Sequence, residues 1–259
     1  VLLVIAGTAF ALPFSSEAER KKDGKPDGGV LGYGEYGRPA TLDPITSNEM
    51  ISLRLTELIF NGLVGINEKQ EIVPELAEKW EISPDGRTYT FHLRKGVTWH
   101  AREGEEAKPF TADDVIFTHK IMMHPKTITP LKVRYEFIEK AEKIDDYTVQ
   151  FVLKRPILNA LAKFSFKIIP RHGPSNPLYL TREDSFVQNP IGTGPYQLKN
   201  VTADREIILT ANENYFKGRP HIDKFVLQAT DQIPNKDLGE FWDNLATKFD
   251  KFVNYFESV

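Results

Sequence analysis

The chain has 259 residues, 41% of them hydrophobic and 27% charged, the proportions of an ordinary soluble globular protein with room for one large domain or two modest ones. Its net charge of −3 comes from interspersed Lys, Arg, Asp and Glu, which leaves no basic field of the kind a nucleic acid demands. Cysteine is absent, which excludes disulfides, thiolate metal sites, cysteine nucleophiles and a lipid-modified cysteine.

Residues 1–14 are almost wholly apolar and rich in small side chains, and residues 15–27 turn abruptly polar. That apolar run is too short to span a bilayer but suits the core of a signal peptide, the alternative being a buried N-terminal strand or helix. Ala9-Phe10-Ala11 and Ser16-Glu17-Ala18 are small-residue cleavage candidates, so residues 1–18 are expected to be an export signal and 19–28 a charged Gly/Pro linker. A mature chain starting near Leu12 or Glu19 would lie in the periplasm, with no cysteine to carry a lipid anchor.

After the linker, residues 30–36 read as a short strand and Thr41-Leu42-Asp43-Pro44 as a turn. Ile51, Leu55, Leu58 and Ile59 recur on a helical period, predicting a helix over 48–63 with Asn48 as its N-cap. Residues 74–79 suggest one or two helical turns, Ser83-Pro84-Asp85-Gly86 is a turn, and 89–93 alternate like a half-buried strand. Thr111-Ala112-Asp113-Asp114 has capping-box spacing, with Asp in place of Glu, ahead of a helical run over 115–123. Further strands are expected at 147–153, 196–198, 207–210 and 225–227. In the last stretch Leu238, Phe241, Trp242, Leu245, Phe249, Phe252, Val253 and Phe256 fall on one stripe of an amphipathic helix.

No catalytic constellation emerges. Gly32-Tyr33-Gly34-Glu35-Tyr36-Gly37 matches the dinucleotide-binding spacing, but Arg38-Pro39 follows at once where a helix N-terminus is needed. Gly192-Thr193-Gly194 lacks the Lys-Ser/Thr of a phosphate-binding loop and is a turn before Pro195. His119 and His124 miss the i, i+4 spacing of paired metal ligands, and His100 stands beside Glu103, Glu105 and Glu106 in a stretch that reads as a solvated loop. Asp113-Asp114 and Asp145-Asp146 are adjacent carboxylates whose side chains diverge, which suits caps and turns. No catalytic residue, cofactor or metal is expected.

The motifs taken together are more specific than any of these alone. Ala40-Thr41-Leu42-Asp43-Pro44, Pro74-Glu75-Leu76-Ala77-Glu78-Lys79-Trp80, and the run from Ser83-Pro84-Asp85-Gly86 through Leu93-Arg94-Lys95-Gly96-Val97-Thr98-Trp99-His100 resemble the family 5 bacterial extracellular solute-binding proteins. Pro109-Phe110-Thr111-Ala112-Asp113-Asp114-Val115, Asn189-Pro190-Ile191-Gly192-Thr193-Gly194-Pro195-Tyr196 and Asn214-Tyr215-Phe216-Lys217-Gly218-Arg219-Pro220-His221-Ile222-Asp223 continue the likeness in the family's order.

The resemblance implies a mixed α/β protein with a first lobe of the periplasmic-binding-protein type II kind, an α+β domain inserted into it, and no second lobe. On that scheme the first lobe takes 29–45 and 165–230, the inserted domain 46–164, and 231–259 form a helical tail outside the family pattern. It further implies a non-enzymatic, exported solute-capture component of a peptide-type ABC transporter, whose partners are a peptide or other small solute and an inner-membrane permease. The alternative is a half receptor that no longer traps solute, either a non-functional fragment or an interaction module whose helix at 238–256 docks on a partner or on a second copy of the chain. Of the family's ligand contacts, only Gly34, Glu35 and Tyr36 at the first strand's end have counterparts here. Trp80 and Trp99 are expected in the core, and residues 101–108 replace the family's tight turn with a longer polar loop.

Overall fold

The computed structural model describes residues 4–5, 19–20, 26–102, 104–176, 179–181, 184–202 and 206–230. The expected tail helix at 238–256 and all but Val4, Ile5 and nothing else of the expected signal at 1–18 lie outside these. Two compact units are formed, one from Val1–Arg38, Leu198–Ala211 and Pro220–Val259, the other from Pro39–Gln197 and Asn212–Arg219. Short strands β1 (Val4–Ile5), β2 (Glu19–Arg20) and β3 (Pro26–Asp27) precede β4 (Val30–Tyr36), which falls where the sequence predicts it.

In the second unit, the Thr41-Leu42-Asp43-Pro44 motif is a buried turn. The Asp43 carboxylate accepts from Ile45 N at 3.0 Å, Thr46 N at 3.1 Å and Thr46 Oγ1 at 2.6 Å, while Asp43 N donates to Thr41 Oγ1 at 3.0 Å. Helix α1 (Met50–Ile59) is shorter than expected at both ends. Its N-cap is Glu49, not Asn48: the Glu49 carboxylate takes Ala40 N and Ser52 Oγ, which fixes the chain before the first turn. Its C-terminus is set by tertiary contact, since Ile59 O accepts from Gly194 N at 2.8 Å and Phe60 turns into extended backbone.

Residues 74–79 are not helical. They end β6 (Ile72–Pro74), which pairs antiparallel with β5 (Val64–Ile66), and open β7 (Ala77–Ile82). Leu76 N and Ala77 N donate to Gly62 O and Leu63 O at 3.1 and 2.9 Å, and β7 then pairs antiparallel with β8 (Thr88–Leu93). Tertiary hydrogen bonding thus overrides the helix propensity of Glu-Leu-Ala-Glu-Lys, residues that all favour a helix. The β7–β8 link is the expected turn, with Gly86 N donating to Ser83 O at 2.8 Å and Gly86 at φ +68°.

Helix α2 (Ala112–Met123) starts where the capping-box spacing places it. Helix α3 (Leu131–Tyr135) and strand β9 (Ile138–Asp145) are not marked by the sequence pattern, whereas β10 (Thr148–Leu153) is. The sheet order is β7-β8-β10-β9. Strands β8 and β10 bury Tyr89, Phe91, Leu93, Val149, Phe151 and Leu153 on one face. Phe164, from a 3-10 helix (Ala160–Ser165), closes that core, its ring 4.8 Å from Phe91 and 5.0 Å from Phe151. The outer face is polar: Gln150 Nε2 donates to Thr90 Oγ1 at 3.1 Å, and His92 Nε2 meets Glu81 Oε1 at 3.2 Å. Edge strand β9 reads Ile-Glu-Lys-Ala-Glu-Lys-Ile-Asp, charges that discourage another chain from pairing with it.

A four-residue helix, α4 (Ser185–Gln188), leads to β11 (Tyr196–Val201), β12 (Glu206–Ala211) and β13 (Lys224–Thr230). The sheet of the first unit runs β1-β4-β13-β12-β11. β4 and β13 are parallel, from Val30 beside Lys224 to Tyr36 beside Thr230, and β12 and β13 are antiparallel. Ile207, Leu209, Ala211, Leu227 and Ala229 alternate onto the buried face. The start of β4 is tied down by Asp223, whose Oδ2 accepts from Gly29 N at 2.9 Å.

Candidate functional site

The three predicted ligand residues sit together at the end of β4. Period-two alternation puts Tyr33 and Glu35 on one face and Gly32, Gly34 and Tyr36 on the other. Tyr33 stacks on Phe225, rings 6.3 Å apart at 30°, and its hydroxyl donates to Glu35 Oε2 at 2.7 Å. Tyr36 is 58% exposed, so its ring is a surface, not core, group. A methyl group placed on Gly32 would meet no atom within 4 Å, so the strand is open at that position. β1 lies beside only Gly32 and Tyr33; among the described strands none continues beside Gly34 and Tyr36 on the side away from β13. The strand end therefore combines an exposed ring with a carboxylate held by a neighbouring hydroxyl. The glycine pattern is plainly not a nucleotide loop here, because it lies inside a strand and the next described helix begins at Met50.

The second unit carries a buried polar knot that sequence reasoning missed. His100 is at the base of the expected solvated loop but only 8% exposed, a correction to its reading as a loop residue. Its Nδ1 accepts from Gly192 N at 3.2 Å, its Nε2 lies 2.9 Å from Gly194 O, and its own N donates to Gly192 O at 2.8 Å. Those partners require the neutral tautomer protonated on Nε2, and burial pushes the imidazole pKa down to about 4. The loop itself, 101–102 and 104–108, is exposed as expected, closed at its base by Trp99 N donating to Lys108 O at 2.9 Å. Around the same turn, Thr193 Oγ1 meets Asn61 Oδ1 at 3.1 Å, Asn61 Nδ2 reaches Glu75 Oε2 at 3.2 Å and Tyr215 OH at 3.3 Å, and Asn212 Nδ2 donates to Gly194 O at 3.0 Å. Glu75 also takes Gly62 N at 3.1 Å and Lys217 Nζ at 3.2 Å. The family motifs around Glu75, His100, Gly192 and Tyr215 are thus one hydrogen-bonded unit. Only their shared occurrence far apart in sequence hinted at it.

Trp99 and Asp114 form a second buried pair. Trp99 is 1% exposed and edge-on to Phe110 at 6.0 Å, as expected of a core residue; Trp80 on edge strand β7 is half-buried. Asp114 accepts from Thr111 N at 3.0 Å, Trp99 Nε1 at 3.3 Å and Arg171 N at 2.8 Å. Burial pushes its carboxyl up while these donors pull it down. Asp113 instead meets Lys143 at 3.1 Å on the surface, and Asp145 caps a turn by accepting from Tyr147 N at 2.7 Å. Among the described residues no group of His, Cys, Asp or Glu is arranged to hold a metal ion, and no helix is long and apolar enough to cross a membrane.

His119 is also shifted down to about 4 by burial, with Nε2 unpartnered and its ring 6.0 Å from Phe151. In the unfolded chain both rings take up protons near pH 6.5, in the folded chain only near pH 4. The unfolded state therefore holds more protons between these values, and stability falls as pH falls through that window, by about 3 kcal/mol at most for His100. Asp43 and Asp114, both raised by burial, bind protons more readily folded and offset part of this at the acid end. We expect a melting temperature markedly lower at pH 5 than at pH 7, and a shallower fall in His119→Phe. A pH-independent melting temperature would show these rings to be solvated.

The two units, a mixed five-stranded sheet and an antiparallel α+β body, define a fold of the periplasmic-binding-protein class. Residues 71–236 match the family model of the bacterial extracellular solute-binding proteins, family 5 Middle. The chain belongs to that family. The dipeptide-binding protein of Escherichia coli strain K12 is 38% identical over 223 residues, covering 78% of this chain and 41% of that protein. The oligopeptide-binding protein AppA of Bacillus subtilis is 31% identical over 268 residues, 98% of this chain and 48% of its own, so that alignment reaches beyond residue 236. The structure of AppA in complex with a nonapeptide superposes with a TM-score of 0.71 at 29% identity, over 79% of this chain and 40% of that one. The Helicobacter pylori periplasmic binding protein DppA in complex with peptide STSA gives 0.69 at 29%, over 80% and 43%. The chain thus spans under half the length of these relatives.

Proposed function

We propose that this chain is part of the solute-capturing component of a peptide-type ABC importer, holding a peptide or similar solute at Gly34, Glu35 and Tyr36 and delivering it to a membrane permease without chemical change. The observation that supports this most is the ordered run of family motifs folded as one hydrogen-bonded unit, in a chain similar to proteins solved with peptides bound. The open strand end suits an extended ligand, because an exposed ring can cover a side chain while backbone groups pair in strand fashion. In the full receptor, residues 29–45 and 165–230 serve as first lobe and 46–164 as inserted domain, and hinge closure hands the loaded form to the permease. Residues 1–18 direct export to the periplasm.

The 259 residues span less than half the length of these relatives. Affinity in such sites comes from burying most of the ligand surface. Calorimetric titration of di- to pentapeptides should therefore give dissociation constants of about 100 μM or weaker. The peptides should be recovered intact, and light scattering should show self-association through the aromatic stripe at 238–256. Tight micromolar binding by a clean monomer contradicts the weak-binding reading, and cleaved peptide contradicts the non-enzymatic one. Mass spectrometry of exported protein should find a start near Leu12 or Glu19; an intact start in cytosolic protein contradicts export.

A further inference from the structure

Residues 115–135 contain Lys120, Lys126, Lys132 and Arg134, with His119 and His124, and no Asp or Glu, in a chain that is net acidic with 36 acidic residues. The link from α2 through α3 also displays Ile128 at 88% and Val133 at 77% exposure, among the most exposed large aliphatic side chains described. The backbone on both sides of Ile128 is fixed. Thr127 on one side of Ile128 is 4% exposed, and Thr129 on the other donates its hydroxyl to Ile45 O while its oxygen accepts from Leu131 N at 3.0 Å. Tyr135 ends the segment, 4% exposed, with its ring 5.1 Å from Phe166.

We propose that residues 125–135 are a membrane-docking surface, in which Lys126, Lys132 and Arg134 meet anionic phospholipid headgroups while Ile128 and Val133 enter the bilayer interface. The charge is complementary to such headgroups, and exposed aliphatic side chains flanked by long cationic ones are the arrangement interfacial segments use. Little ordering is needed, since the threonine contacts already hold Ile128 outward. A protein partner fits less well, because protein interfaces favour aromatic anchors. Here Tyr135 is buried, and Tyr179 is covered by His124, stacked at 5.5 Å, and by Lys126 at 5.2 Å. Glu136, next in sequence after Tyr135, is the acid that would have to face away from the headgroups.

The test is flotation of the 259-residue chain with vesicles of phosphatidylcholine containing about 30% phosphatidylglycerol, against vesicles of phosphatidylcholine alone, at about 50 and about 300 mM sodium chloride. Binding is expected only with the anionic lipid and should weaken with salt. Each cation near an anionic surface contributes about a fivefold gain, so Lys132→Glu with Arg134→Glu should weaken binding at least about 25-fold. Ile128→Asp, at a position too exposed to affect folding, should weaken it about tenfold or more. No binding to either vesicle overturns the proposal. So does binding that the variants leave unchanged, which would place the contact in the apolar segments at 1–14 or 238–256. Self-association abolished by Ile128→Asp, without vesicle binding, would reassign the surface to a second copy of this chain.

Discussion

Gly192→Ala should collapse the second unit. A Cβ at this position would lie 1.7 Å from Ile59 O and 2.6 Å from Ile59 C, backbone atoms that cannot swing aside as a side chain can. Gly194 N donates to that same carbonyl, and Gly192 N and O are both bonded to His100, so any retreat of the turn breaks the knot that holds α1. Overpacking usually costs about 1 to 3 kcal/mol and more where backbone must move, so we expect at least about 3 kcal/mol, a melting temperature lower by about 10 °C, or no folded protein. Gly32→Ala is the control. It meets no atom within 4 Å and should leave the melting temperature within about 2 °C. Equal behaviour of the two variants would show that the turn is not packed against Ile59.

Trp99→Ala should be nearly as severe. The indole is 1% exposed against Phe110, and truncating such a ring costs about 3 to 5 kcal/mol. It also takes one donor from Asp114, a 4% exposed carboxylate that caps α2. Trp99→Phe separates the two effects. It keeps most of the packing and loses the Nε1 hydrogen bond, so it should cost about 1 to 2 kcal/mol. An unchanged melting temperature in Trp99→Ala would show the ring to be exposed and reopen its use as a ligand platform.

Elements whose cause is local could be read from the sequence. Strands β8, β10 and β12 alternate, Ser83-Pro84-Asp85-Gly86 carries its own turn chemistry, and the spacing of Thr111 and Asp114 marks the start of α2. Where long-range contacts decide, local signals mislead. Residues 74–79 have helix-forming side chains, yet their backbone bonds to Gly62 and Leu63 and then to β8. Helix α1 ends at Ile59 because Gly194, 135 positions further along, takes that carbonyl. His100 lies among charged neighbours in sequence, yet its ring bonds to Gly192 and Gly194, more than 90 positions further along. Strand β9 is masked by its charges, because an edge strand needs only one apolar face. The strand-end residues Gly34, Glu35 and Tyr36 came from resemblance alone. Nothing in the composition of a short glycine-containing strand distinguishes a ligand wall from a solvent face.

The most direct test of solute capture is residue-resolved NMR of the isotope-labelled chain during titration with a dipeptide and a pentapeptide to millimolar concentration. We predict saturable amide shift changes that begin at Gly34, Glu35 and Tyr36, and that shrink in Tyr36→Ala without a change in melting temperature. Spectra unchanged to the end of the titration, or changes that leave the end of β4 untouched, would contradict peptide binding at this site.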